Sequence, residues 1–162
     1  MKKEEWVREI FQVVCVVEDL EKTLENWKRL VEFDQSSIHL SEDAGTGRLG
    51  ERTASRCARF DLGGVQIRLV EPLDKGGPDP YAAALRRSGP GFHHLGLSVR
   101  SRDELTERYE AMGLFPIFKE ETEAGPAPLY ELDSRLGMSF VPWDRAFGPC
   151  ARLAREERKG EE

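Results

Sequence analysis

Two adjacent histidines stand at the head of an alternating apolar run, "GPGFHHLGLSV", Gly89 to Val99, in a chain with only three histidines. Imidazole is the one side chain whose ordinary pKa suits proton transfer near neutrality, and its ring nitrogens also ligate divalent metals. Strand alternation puts His94, Gly96 and Ser98 on one face and His93, Leu95, Leu97 and Val99 on the other. The apolar set belongs under a helix, which turns His94 the other way and makes it the candidate for chemistry. The plain alternative for His94 is a hydrogen-bonded core histidine. His93 is expected to be packed or hydrogen-bonded at the strand's mouth.

Other motifs exclude more than they offer. Cys15, Cys57 and Cys150 are odd in number, widely spaced and without a CxxC pair, so they read as free thiols in a reducing compartment. "AGTGRLG" lacks the Lys-Ser/Thr of a phosphate-binding loop. The net charge is -6, and in an acidic chain with no basic stripe nucleic acid is not an expected partner. The first apolar run is short and interrupted by acids, which argues against a signal peptide or a membrane span and makes the cytoplasm the expected location.

The elements that must position these groups follow from periodicity and punctuation. "IFQVVCVV" (Ile10 to Val17) reads as a buried strand, followed by a helix capped by Asp19 with Leu20, Leu24, Trp27 and Val31 on one face. "SSIHLS" reads as a short strand and "EDAGTGRLGER" as a loop, because its glycines and small polar residues supply no core face. "TASRCARFDLGG" and "VQIRLVEP" form a hairpin about Gly63-Gly64. "DPYAAALRRSG" carries helix punctuation: Asp79 as cap, Pro80 at the first position and Gly89 past the end. After the strand bearing His93 and His94 comes a helix with a Ser101/Glu104 capping box and Leu105, Tyr109 and Met112 on one face. "LFPIFKEE", "APLYELD" and "LGMSFVPW" then read as strands.

Both halves therefore run strand, helix, three strands. "QVVCVVEDL" sits over "HLGLSVRSR", and "DLGGVQIRLVEP" over "LDSRLGMSFVPW". The division is an N-terminal extension at 1–9, a first βαβββ module at 10–78, a linking helix at 79–89, a second module at 90–147 and a charged tail at 148–162. At 162 residues this suits two small halves packed as one unit.

The strand-plus-"VEDLEKTLENW" opening, "LGGVQIRLVEPL" and "GPGFHHLGLSV" resemble the vicinal oxygen chelate superfamily, most of all its methylmalonyl-CoA epimerase and glyoxalase I-like branch. The resemblance implies an α+β fold: two tandem βαβββ modules whose mixed sheet curls into a cup with helices outside. It also implies four inward side chains, usually His, Glu or Gln, around a divalent metal. Matched to this chain, those positions are Gln12, Arg68, His94 and Ser139. Gln12 is a weak neutral ligand or a strand-end hydrogen-bonder, and Ser139 is a feeble ligand. Arg68 has no lone pair and repels a cation. A two-residue slip would instead turn Gln66 or Val70 inward.

The expectation is thus a metal-free site without a cofactor; a metal, if present, would fall to Gln12 and His94. Arg68 suits a carboxylate, phosphate or enolate oxygen, and His94 suits proton movement. With Gln12 and Ser139 orienting the substrate, the reading is an isomerase, epimerase or lyase acting on a small carboxylate, keto acid or acyl thioester. The alternative is a non-catalytic small-molecule-binding protein of the resistance type, with Trp27, Trp143, Tyr130, Phe140 and Phe147 as candidates to line its cavity. Exposed strand edges make a homodimer the expected assembly.

Overall fold

In the computed structural model, which describes residues 6–122 and 125–144, the β-branched opening run forms β1 (Val7–Val16). α1 (Leu20–Leu30) follows, with the Asp19 carboxylate accepting from the Lys22 N–H. The chain continues through β2 (His39–Gly47), β3 (Arg52–Leu62) and β4 (Val65–Pro72). Gly63 and Gly64, at φ 57° and 89°, make the tight turn between β3 and β4 that side chains with a Cβ resist. Next come α2 (Pro80–Ser88), capped by Asp79, and β5 (Gly91–Val99). The second unit adds α3 (Arg102–Ala111), β6 (Phe118–Glu120), β7 (Ala127–Leu129), α4 (Asp133–Leu136) and β8 (Ser139–Asp144). Among the described residues no helix is long and apolar enough to cross a membrane.

These strands form one curled sheet in the order β7-β6-β2-β3-β4-β1-β5-β8. β1 pairs parallel with β4 and antiparallel with β5, joining the two modules through their first strands. β2 pairs antiparallel with β6, joining them again on the far side. A bridge between Tyr130 and Phe140 then brings the two ends of the sheet together. The cup is nearly closed within one chain.

Local expectations fail in several places. "EDAGTGRLGER" is a turn only at 48–51: β2 runs on to Gly47 because β3 supplies it with partners from Arg59 to Arg52. Gly45 lies in that strand beneath Phe118, and a Cβ there would fall 2.0 Å from Phe118 Cζ. The strands expected from "LFPIFKEE" and "APLYELD" shrink to three residues each. Leu136 ends α4 instead of opening β8, and Met112 is 60% exposed, not on the buried face of α3. β1 starts at Val7, inside the segment assigned to an N-terminal extension, whereas Phe147 and the 148–162 tail lie outside the described residues.

Three apolar clusters hold this together. α1 packs on the outer face of β3, β4 and β1, with Leu20, Leu24 and Trp27 against Ala58, Phe60, Ile67 and Leu69. α3 covers β5 and β8 through Leu105 and Tyr109. Inside the cup lie Val14, Val16, Cys57, Val70, Phe118, Leu129 and Val141, and α2 crosses one end so that Tyr81 and Leu85 reach in. Each fully buried aliphatic or aromatic side chain contributes roughly 1.5–3 kcal/mol. The interior is therefore mostly filled, and its polar groups stand out.

Candidate active site

Arg68 points inward from β4, as strand alternation with Ile67 and Leu69 requires, and only 1% of it is exposed. A guanidinium at such depth needs partners. Nη1 donates to Glu120 at 2.7 Å and to the Tyr81 hydroxyl at 3.2 Å; Nη2 donates to Asp43 at 2.9 Å and meets Cys57 Sγ at 3.5 Å. Arg59, the cross-strand neighbour of Arg68, also donates to Asp43 Oδ2, at 2.6 Å, so one carboxylate separates two guanidiniums. The Tyr81 hydroxyl donates to Glu120. Nε is left as a buried N–H with no partner among the described residues.

The electrostatics follow from that packing. Burial opposes charge on Arg68, but Glu120 above all, with Tyr81, Cys57 and Asp43, keeps it protonated far beyond neutral pH. Burial also pushes Asp43 up, yet the Arg68 and Arg59 guanidiniums outweigh it and hold the carboxyl well below the usual range. Burial raises the Cys57 thiol to about 11 and, with Glu120, lifts the Tyr81 phenol far above its ordinary value. Cys57 is therefore a thiol and Tyr81 a phenol at neutral pH.

Both histidines of the opening motif belong to one hydrogen-bonded pair, His93 Nδ1 to His94 Nδ1 at 2.9 Å. His93 Nε2 lies 3.4 Å from the Pro80 carbonyl, which can only accept. That assigns the proton of His93 to Nε2, so its Nδ1 accepts from the Nδ1–H of His94. His94 Nε2 then carries a lone pair, and no described residue hydrogen-bonds to it. Burial, reinforced by His93 and Arg68, pushes His94 well below its ordinary pKa; burial likewise lowers His93. Both rings are neutral at pH 7.

The four matched positions are less equivalent than the half-to-half alignment implies. In register, Gln12 pairs with Gln66 and His94 with Ser139, whereas Arg68 pairs with Val14 and Val141 with Gly96. Gln66, not Arg68, is thus the first-half counterpart of Ser139, a two-residue slip. Gln66 nonetheless does not displace Arg68, because residues two apart share the inner face. Gln12 donates to Gln66 at 2.7 Å, and the Ser139 hydroxyl donates to Asp133 at 2.7 Å. Arg68 and His94 flank Val14 on adjacent strands; Gln12 lies one inward position further along β1.

A divalent cation needs several oxygen donors and local negative charge, or a set of imidazoles and thiolates. Here two amides bond each other, a hydroxyl is committed to Asp133, one imidazole nitrogen is open and a guanidinium adjoins them. Among the described residues no group of three His, Cys, Asp or Glu side chains is arranged to hold a metal ion. The donor set does not fit the metal that the resemblance implies.

A cleft of about 470 Å³ opens between α2, the start of β5 and the α4–β8 turn, lined among others by Arg87, Phe92, His93, Leu129, Asp133 and Ser139. His93 faces it, while His94 lies behind. The aromatic residues considered for a cavity lining are instead packed: Trp27 edge-on to Phe60, Tyr130 and Phe140 beneath α3, and Trp143 edge-on to Phe11.

Asp43, Glu120 and Tyr81 were missed in the sequence. Asp43 sat in the segment read as a loop. Glu120 shares a face with Phe118 two residues before it, and Tyr81 lies four before Leu85, so both had a periodic signal for burial. Neither signal names a partner.

Comparison with known proteins agrees with this architecture. Methylmalonyl-CoA epimerase from Mycobacterium tuberculosis is similar at 19% identity over 94% of this chain and 97% of its own, with TM-score 0.62. A Streptomyces coelicolor methylmalonyl-CoA epimerase variant in complex with 2-nitronate-propionyl-CoA shares 16% identity over 88% and 99%, with TM-score 0.64. At such identities the likeness speaks for the fold. No curated protein matches the chain. A family model does match, from residue 11 to residue 128, through the first module, the linking helix and most of the second. The chain belongs to the Glyoxalase/Bleomycin resistance protein/Dioxygenase superfamily.

Proposed function

We propose that the protein is an epimerase-like enzyme that moves a proton next to a carbonyl in a small carboxylate, keto acid or acyl thioester, without a metal. The reading rests on Arg68. Its Nη atoms are taken by Glu120, Asp43 and Tyr81, yet its buried Nε–H has no partner among the described residues. An unpaired buried donor costs about 1–3 kcal/mol, a cost that a substrate oxygen removes by accepting the bond. Such a donor stabilises an enolate oxygen as charge develops on it. His94 stands across Val14 from Arg68, neutral and with Nε2 open.

In this reading the α-proton passes to His94 Nε2, the C–H electron pair moves into the enolate, and the oxygen accepts from Arg68 Nε–H. Delivery of a solvent proton to the opposite face of the α-carbon, with His94 releasing to solvent the proton it took, completes an isomerisation. Glu120 and Asp43 keep the guanidinium charged and fixed, so Arg68 acts through one N–H instead of a two-pronged clamp. The epimerases that share the fold support the reaction class.

The test is deuterium wash-in at the α-position of a panel of acyl-CoA thioesters and keto acids. Wild type is expected to exchange, and His94→Gln to lose on the order of 10²-fold or more. Arg68→Lys keeps the charge but removes the planar Nε–H, so it is expected to lower kcat more than to raise KM. Exchange undiminished in His94→Gln would remove His94 as the base.

A further inference from the structure

We infer that the cleft between α2 and the α4–β8 turn binds a small zwitterion with an apolar body, of the amino-acid or dipeptide class. The inference stands on the cleft alone and does not depend on His94 being a base. At about 470 Å³ the cleft falls within the range that holds small molecules, roughly 300–1,000 Å³. Much of its lining is apolar, with Pro80 and Ala84 from α2 and Ile117 and Leu129 from the second module. Two further lining residues, Phe92 and Met138, remain 54% and 40% exposed. A concave surface that leaves large apolar side chains uncovered is where a protein meets a ligand.

The charges on the two walls select the ligand. Arg87, in the last turn of α2, lines one side; Glu131 and Asp133, between β7 and the start of α4, line the other. Opposite charges on facing walls neutralise each other when they meet, but these do not meet. Among the described residues the side chains of Arg87 and Glu131 have no ion-pair or hydrogen-bond partner, and Asp133 gives only Oδ1 to the Ser139 hydroxyl. An open guanidinium across from open carboxylates complements a molecule that carries both signs. The ligand's carboxylate accepts from Arg87, its ammonium donates to Glu131 and to Asp133 Oδ2, and its apolar body lies on Phe92 and Met138. A ligand with only a negative charge would face two carboxylates, and one with only a positive charge would face the guanidinium. Each juxtaposition of like charges works against binding.

The experiment separates the two charges. Phenylalanine and the dipeptide Leu-Phe are titrated calorimetrically into the full chain, each in four forms: free, as the C-terminal amide, as the N-acetyl derivative, and blocked at both ends. At least one of the two free forms is expected to bind on the order of tenfold more tightly than either of its singly blocked forms. Arg87→Gln is expected to bind that free form no better than its amide. Glu131→Gln combined with Asp133→Asn is expected to bind it no better than its N-acetyl derivative. All three residues are exposed, so these exchanges leave the core untouched. Equal binding of all four forms, or binding of none, overturns the inference. A preference for the free form that survives undiminished in the variants overturns its assignment to this cleft.

Discussion

Arg68 Nη1 stands 2.7 Å from Glu120 Oε1, an ion pair that spans 52 residues and ties β4 of the first module to β6 of the second. Arg68 stands at one of the positions where the resemblance leads one to look for a metal ligand. Both side chains are almost wholly buried. Removing one partner leaves the other uncompensated, which typically costs 3–5 kcal/mol, whereas replacing both with apolar groups is often neutral.

Glu120→Ala is therefore expected to lose about 3–5 kcal/mol in urea unfolding, and Arg68→Met with Glu120→Leu to recover much of it. A Glu120→Ala protein as stable as wild type would show that the pair does not hold the modules together.

Stability should also fall in acid in two stages. Burial, His93 and Arg68 keep the folded-state pKa of His94 below its unfolded value, so its contribution is present above about pH 6.5 and fades below it. Asp43 is likewise depressed when folded, and its contribution fades below about pH 4. In both cases the unfolded chain takes up the proton first. Unfolding curves from pH 8 to pH 3 measure this: His94→Gln should flatten the upper stage and Asp43→Asn the lower. A wild-type profile without slope from pH 8 to 5 contradicts the assignment for His94.

Gly45→Ala tests the closure of the cup. The added methyl would lie 2.0 Å from Phe118 Cζ and 2.9 Å from the Lys119 carbonyl, so both ring and backbone must move. Overpacking of this kind costs about 1–3 kcal/mol. Phe118→Leu in the same chain relieves the ring clash but not the backbone one, and is expected to rescue only part of the loss in thermal melts.

Dialysis against EDTA is expected to leave both the melting temperature and α-proton exchange unchanged, because the donor set around His94 does not fit a divalent cation. Equimolar tightly held metal in the purified protein, with activity lost on its removal, would refute the metal-free reading.

Much of the fold was legible because the rules that set it are local. Asp19, Asp79 and Ser101 each cap the helix that follows, and the Gly63-Gly64 turn is where the hairpin turns. Alternation placed Arg68 and His94 on the inner face without knowledge of any contact. β2 escaped because its strand character comes from β3 and β6, not from its own glycine-rich residues.

The sequence by itself determined the order of elements, the duplication and the inward aim of Arg68 and His94, since period and punctuation act over a few residues. Only the tertiary structure decided what those groups meet. Asp43 and Glu120 reach Arg68 when β2 pairs with β6 and the cup closes, and α2 sets Pro80 and Tyr81 beside the His93 ring. Hydrogen bonds and ion pairs act over about 3 Å of space regardless of chain separation, so no local pattern names their partners.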